Sequence, residues 1–306
     1  MVAYSLLPMI AKGDAFGRDR RMILQCLDLN QPEVVDRMRA LEMELADGNF
    51  PLLQGAFFTV DEARALQGAD YAILLGAFPH QQEGAERRQG MEKNAAIFRT
   101  LGLAIDKHAS RDCKVLVAGH PACTNALLCS YGSASLPRQN FFGLARLDLN
   151  RAIGLLAHRA RVSVGDVRNV VVWGAAGTGP DLEHAMIFGR SAPSVLTSDE
   201  DRRWLRERFE EECLGRGASV QSARKAGAAL SVARAVADQL HDLHVGTPPG
   251  MVTSLGVWSD GNEYGVAAGL IFAFPVICAG GGRWRIAPAL RVGPKCQERI
   301  REAEMR

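Results

Sequence analysis

A chain of 306 residues, 47% hydrophobic and 23% charged, has the composition of a globular protein large enough for one big domain or two fused lobes. Its 36 basic and 34 acidic residues are interspersed, and the net charge of +2 excludes the concentrated basic footprint of a nucleic-acid binder, so an anionic partner must be small. Seven cysteines with no C-x-x-C pair exclude a zinc knuckle or dithiol centre and read as reduced, buried thiols of a cytoplasmic protein.

In chain order, Met1 to Ile10 is too short for a signal peptide and has no basic flank. The run Met22 to Leu29 (MILQCLDL) ends on an acidic segment, and Ala69 to Gly76 (ADYAILLG) ends in glycine; both are predicted as parallel strands buried on two faces. Between them, Glu33 to Asp47 repeats apolar residues at helical spacing and Ala56 to Val60 reads as a short strand. The long helical stretch Glu86 to Ala109 leads into a third run, Lys114 to Gly119 (KVLVAG), which stops at Gly-His-Pro. Strand, helix and strand at this spacing predict an open, doubly wound α/β sheet.

After Pro121 helices are predicted at Cys123 to Tyr131, Asp148 to Ala160, Asp199 to Cys213 and Gly217 to His244. Antiparallel strands are predicted near Met251 to Ser259, Ile271 to Cys278 and Arg283 to Ile286. The longest uncharged run, Tyr264 to Gly282, is interrupted by Gly265, Gly269 and Pro275, which suits buried strands and not a membrane span. The expected organisation is a cofactor lobe over residues 1–134 and a mixed α+β lobe over residues 135–306, whose long helices serve catalysis or dimer packing.

Three groups of residues carry chemistry. Asp28 ends a strand where a dinucleotide fold presents a carboxylate to the adenine ribose, although an acid there is also a common turn or cap residue. Asp148 and Arg151, three apart at a helix start, share a face on which a carboxylate can orient a base and a guanidinium can clamp a carboxylate; a surface ion pair has the same spacing. Arg87 and Arg88 lie in a glycine- and glutamine-rich loop after a strand, from which an arginine reaches either substrate or solvent.

Seven segments occur in one order: Ala3-Tyr4-Ser5-Leu6-Leu7, Leu27-Asp28, Gly76-Ala77-Phe78-Pro79, Glu83 to Arg87, Pro121-Ala122-Cys123-Thr124-Asn125, Arg146 to Ala152, and Ser254-Leu255-Gly256-Val257 with Ser259 to Asn262. Order and spacing resemble the cytosolic malate dehydrogenases over about residues 2–290. The resemblance implies a Rossmann-like sheet, NAD as cofactor, a small 2-hydroxy or 2-oxo acid as substrate and a homodimer, with no nucleic acid or membrane partner. It also implies hydride transfer at C2 of the hydroxy acid, with a histidine paired to an aspartate taking the hydroxyl proton. Carried over, Asp148 is that aspartate, Arg151 the clamp for the C1 carboxylate and Arg87 the carbonyl-polarising arginine. Asp28 takes the adenosine ribose, Gly76 and His120 border the cofactor, and Asn125 and Ser254 line the nicotinamide and substrate site.

Four departures from the family pattern bear on activity. Where the family reads Trp-Gly-Asn-His-Ser-Ser, this chain has Trp173-Gly174-Ala175-Ala176-Gly177-Thr178, so Ala176 stands at the catalytic histidine's position. The arginine for a second carboxylate falls in Pro79-His80-Gln81-Gln82-Glu83, which has none; glutamine there is similar to lactate dehydrogenases, whose substrates lack that carboxylate. Two asparagines of the family become His120 and Cys123. Met1 already lies within the first helix, so the resemblance implies a first strand and glycine-rich phosphate turn that these 306 residues do not contain. The expectation is an oxidoreductase of impaired activity; the alternatives are a catalytically silent paralogue or fragment keeping a dimer or partial nucleotide-binding role, and a reductase of monocarboxylic 2-oxo acids.

Overall fold

The computed structural model describes residues 1–78, 84–174, 179–288 and 290–304, with the side chains of residues 84–87 and 295 outside that description. The first half alternates helix and strand: α1 Val2–Ala11, β1 Met22–Leu27, α2 Pro32–Asp47, β2 Leu53–Thr59, α3 Glu62–Leu66 and β3 Tyr71–Leu74. It continues through α4 Gly84–His108, β4 Lys114–Val117, α5 Ala122–Gly132, β5 Phe141–Gly143 and α6 Arg146–Ala160. Short strands follow, β6 Val167–Arg168, β7 Val171–Val172, β8 Pro180–Asp181, β9 Met186–Ile187 and β10 Arg190–Ser191. The chain then forms α7 Ala192–Val195, α8 Asp199–Glu207, α9 Phe209–Arg224, α10 Leu230–Val245, β11 Thr253–Trp258, β12 Ile271–Gly280, β13 Arg283–Ile286 and α11 Pro294–Glu304.

The main sheet has six strands in the order β13-β12-β11-β5-β4-β3. Strands β3, β4 and β5 run parallel, as the predicted doubly wound pattern requires, and β11 joins β5 in the antiparallel sense at Gly256 and Gly143. Alternate residues divide between two cores: Leu116, Phe142, Leu255 and Phe274 pack with Leu6 of α1 and Leu240 of α10, while Val115, Val117 and Phe141 pack with Phe98 of α4 and Ala126 of α5. This is the period-two partition of a sheet covered on both faces. The layer of α4 and α5 is tight because a Cβ on Gly102 would collide with the carbonyl oxygen of Cys129. A third core, with Leu149, Leu156, Trp204 and Phe209, gathers α6, α8 and α9.

Strands β1 and β2 form a parallel pair of their own. Among the described residues no strand bridges β1 to β3. The helix expected over Asp199 to Cys213 is broken at Arg208, whose φ of −120° ends α8 and starts α9. The helix expected over Gly217 to His244 is likewise two, because Lys225 takes the left-handed conformation (φ 54°) that caps α9. Periodicity missed α3, whose five residues are too few for it, yet Asp61 caps that helix by accepting the N–H groups of Ala63 and Arg64 at 2.9 and 3.3 Å. No helix among the described residues is long and apolar enough to cross a membrane.

Candidate active site

In an open α/β sheet, the crevice outside the carboxyl ends of the parallel strands is where ligands sit. Here β3 and β4 end side by side: a Cβ on Gly119 would lie 2.5 Å from the Gly76 carbonyl oxygen, so the two strand ends approach at glycine-only distance. Gly76 itself faces open space, with no atom within 4 Å of a built Cβ. His120, exposed, follows Gly119, and the buried Asn125 donates from Nδ2 to the Gly119 carbonyl at 2.9 Å, pinning the first turn of α5 to the end of β4.

The next strand, β5, leads into α6 through a turn held by Gln239 of α10. This fully buried side chain accepts the N–H groups of Ala145 and Arg146 at 3.2 and 3.3 Å and donates to the Gly143 carbonyl at 2.9 Å. Arg146 then pairs with Asp242 and donates to Thr253 Oγ1 at 3.0 Å. A helix start anchored this way gives the side chains of its first two turns a defined direction, and among these are Asp148 and Arg151. Their ion pair is 2.8 Å from Nη1 to Oδ1, with side chains 17% and 16% exposed. Cys213 of α9 lies behind them, its Sγ 3.8 Å from the Asp148 carbonyl oxygen. Burial, then the Asp148 charge, pushes that thiol up to about 12, which excludes a thiolate at neutral pH.

The segment that carries Ala176 is tied at both ends. Trp173 is fully buried and donates from Nε1 to Asp181 at 3.1 Å, while Gly174 exchanges backbone hydrogen bonds of 3.0 and 2.8 Å with Ala273. Ser254, fully buried on β11, accepts the Val172 N–H at 2.9 Å. On the far side, Gly179 lies against the ion pair of Glu210 and Arg299, which joins α9 to α11. Ala176 itself, like Gln81 and Gln82, lies outside the described residues, and Arg87 is on α4 with its side chain outside the description.

Residues 1–143 match the model of the lactate/malate dehydrogenase NAD binding domain, and residues 145–306 match the lactate/malate dehydrogenase alpha/beta C-terminal domain. The chain belongs to the lactate/malate dehydrogenase family. It is 41% identical to the cytoplasmic malate dehydrogenase of Zea mays and 43% identical to the probable malate dehydrogenase 3 of Dictyostelium discoideum, in each case over 95% of this chain and 87% of the relative. A malate dehydrogenase from Naegleria fowleri superposes with a TM-score of 0.89 at 33% identity, covering 99% of this chain and 91% of that one. A Trichomonas vaginalis lactate dehydrogenase in complex with NADH and oxamate gives the same TM-score at 30% identity, covering 99% and 92%. The chain is thus a malate dehydrogenase family protein with an NAD-binding, Rossmann-like N-terminal domain and an α/β C-terminal domain.

Within this family member, the structure brings Gly76, Gly119, His120 and Asn125 together at the ends of β3 and β4, and Asp148 with Arg151 at the end of β5. It places Asp28 at the end of β1, on the separate ribbon, where its Oδ1 accepts the Leu29 N–H at 2.8 Å. The side chains of Asn125 and Ser254 are spent on backbone groups. Gln239 was missed by sequence reasoning, although a glutamine between Val236 and Leu240 on the buried face of a helix signals a polar group with partners to satisfy. The NAD implied by the family fits in part. Gly76 leaves open space at a strand end, and Asp28 offers a carboxylate.

Proposed function

We propose that this chain is an NAD-linked 2-hydroxy acid oxidoreductase of impaired turnover, with residues 1–134 as its cofactor lobe and residues 135–306 as its substrate lobe. The observation that carries the reading is the half-buried Asp148–Arg151 pair on the first two turns of α6, at the carboxyl end of the sheet. Arg151 presents a planar, permanently charged fork suited to the C1 carboxylate of a small 2-oxo acid. Asp148 is the group that would hold a protonated imidazole, and Ala176 leaves it without one. Arg87 serves as the carbonyl polariser, and the glutamines at 81 and 82 favour substrates without a second carboxylate. NAD, when bound, supplies the hydride acceptor; Asp28 would receive its adenosine ribose, and Gly76 and His120 would border the rest. We further assign the chain to the cytoplasm, in keeping with the names of its relatives, and, on the resemblance of its motifs, to a homodimer.

A second reading, a catalytically silent relative, is favoured by one feature: with no imidazole beside it, Asp148 bonds directly to the clamp. The two readings part on restoring the base. At saturating NADH, Ala176→His with Ala175→Asn is expected to raise NADH oxidation by at least about 10²-fold, the lower bound for a positioned acid/base. The gain should vanish with Asp148→Asn, which removes the imidazolium's anionic partner. Strong turnover by the unaltered chain would overturn the assignment of Ala176, and no gain on restoring histidine would favour the silent relative.

A further inference from the structure

Helix α9 crosses above the Asp148–Arg151 pair with two small residues one turn apart. Cys213 is set against the Asp148 carbonyl oxygen, and Gly217, four residues on and hence on the same face, lies against the guanidinium. The three atoms nearest a Cβ built on Gly217 all belong to Arg151, with Nη2 at 3.3 Å and Cζ and Nη1 both at 3.9 Å. Such an approach is tighter than ordinary van der Waals contact, so a side chain there requires the guanidinium to give by a few tenths of an ångström. Glycine inside a helix is otherwise a liability, because it costs stability relative to alanine. Gly215 shows the contrast on the same helix: it is exposed, and nothing lies within 4 Å of its built Cβ.

We propose that Gly217 is a positioning and specificity-determining residue for the carboxylate end of the substrate, the bare stretch of helix on which Arg151 lies and along which it turns from Asp148 to an incoming carboxylate. The proposal rests on the reading of Arg151 as the carboxylate clamp. The guanidinium is confined between two surfaces, the Asp148 carboxylate on its own helix and the Gly217 backbone on α9. Width at Gly217 therefore sets where its second N–H edge can point. The ligand class is a small monocarboxylic 2-oxo acid, whose planar carboxylate takes two parallel N–H···O bonds from one edge of the fork.

The test uses oxamate, an isostere of the simplest such acid, titrated by calorimetry into the full chain with and without NADH. Gly217→Ala is expected to weaken oxamate by about tenfold, below the 10²-fold cost of a full 1 Å misplacement, while its melting temperature stays at or up to about 2 °C above that of the unaltered chain through helix propensity. Gly215→Ala is expected to gain the same stability and bind oxamate unchanged. Unchanged oxamate affinity in Gly217→Ala, where Arg151→Gln abolishes binding, overturns this inference and leaves the clamp standing. Weakened affinity together with a lowered melting temperature overturns it too, by marking Gly217 as a packing glycine only. If the unaltered chain binds no oxamate, or Arg151→Gln binds it as well, the clamp itself falls and the inference falls with it.

Discussion

The ribbon β1–β2 and the strand β4 look alike as apolar runs, and the protein treats them differently. All four residues of β4 and all six of β11 are buried, whereas neither β1 nor β2 contains a single buried residue. Strand β4 has hydrogen-bonded neighbours on both edges and helices on both faces. Strand β1 has one neighbour, and Ile23 within it is 61% exposed. A parallel pair on its own is marginal, because parallel strands depend on cover from both sides. The division has a functional meaning. The carboxylate assigned to the adenosine ribose, Asp28, rides on the weakly supported ribbon, while Arg151 and Asp148 stand on a helix whose start is locked into the main core by Gln239. On that assignment, the end proposed for the substrate is the one with more burial and more hydrogen bonds holding it.

The sharpest way to break this comparison is amide hydrogen exchange. Amides of β4 and β11 should exchange only through global opening, and those of β1 and β2 at least about 10³-fold faster through local opening. Equal protection would show the ribbon to be as firmly held as the sheet. A smaller but more specific effect is expected from side-chain truncation followed by chemical denaturation. Phe274→Ala, at a fully buried position of β12, should cost about 3–5 kcal/mol, and Ile23→Ala no more than about 0.5 kcal/mol. A loss above about 2 kcal/mol at Ile23 would mean that the ribbon is covered in solution.

The mildest test concerns the α4–α5 layer over the main sheet. Burial raises the carboxyl of Asp106, but the hydroxyls of Ser133 and Ser135 and the N–H groups of Ser135 and Leu136 outweigh it and bring it to about 2. A carboxylate held below its unfolded value of about 3.9 contributes stability above that pH and loses it as the pH falls toward 2. Asp106→Asn should therefore flatten the stability profile between about pH 4 and 2 and leave the ribbon's exchange unchanged. An unaltered acid limb would show that these hydrogen bonds contribute nothing to the folded state.

Much of this was legible in the chain. The runs at Met22, Ala69, Lys114, Met251, Ile271 and Arg283 each became strands, since apolar period and glycine punctuation are local signals. The order of short motifs, above all Arg146 to Ala152 and Ser254 to Asn262, was enough to indicate the family. Helix breaks were less legible: Arg208 and Lys225 are ordinary helix-forming residues, so residue type does not signal their departure from helical geometry. Gln239 was hidden for a related reason, because its three partners lie about 93 to 96 residues away.

By itself the sequence determined the element types, the parallel βα pattern, the family and the presence of alanine where that family's motif carries histidine, because each is written in residue identity and near-neighbour spacing. Only the tertiary structure decided that Asp148 and Arg151 neutralise one another and that Gly217 of α9 lies against the Arg151 guanidinium. Those outcomes depend on which distant segments share an edge or a face, and edge pairing, burial and close approach are properties of the assembled neighbours that no single segment encodes.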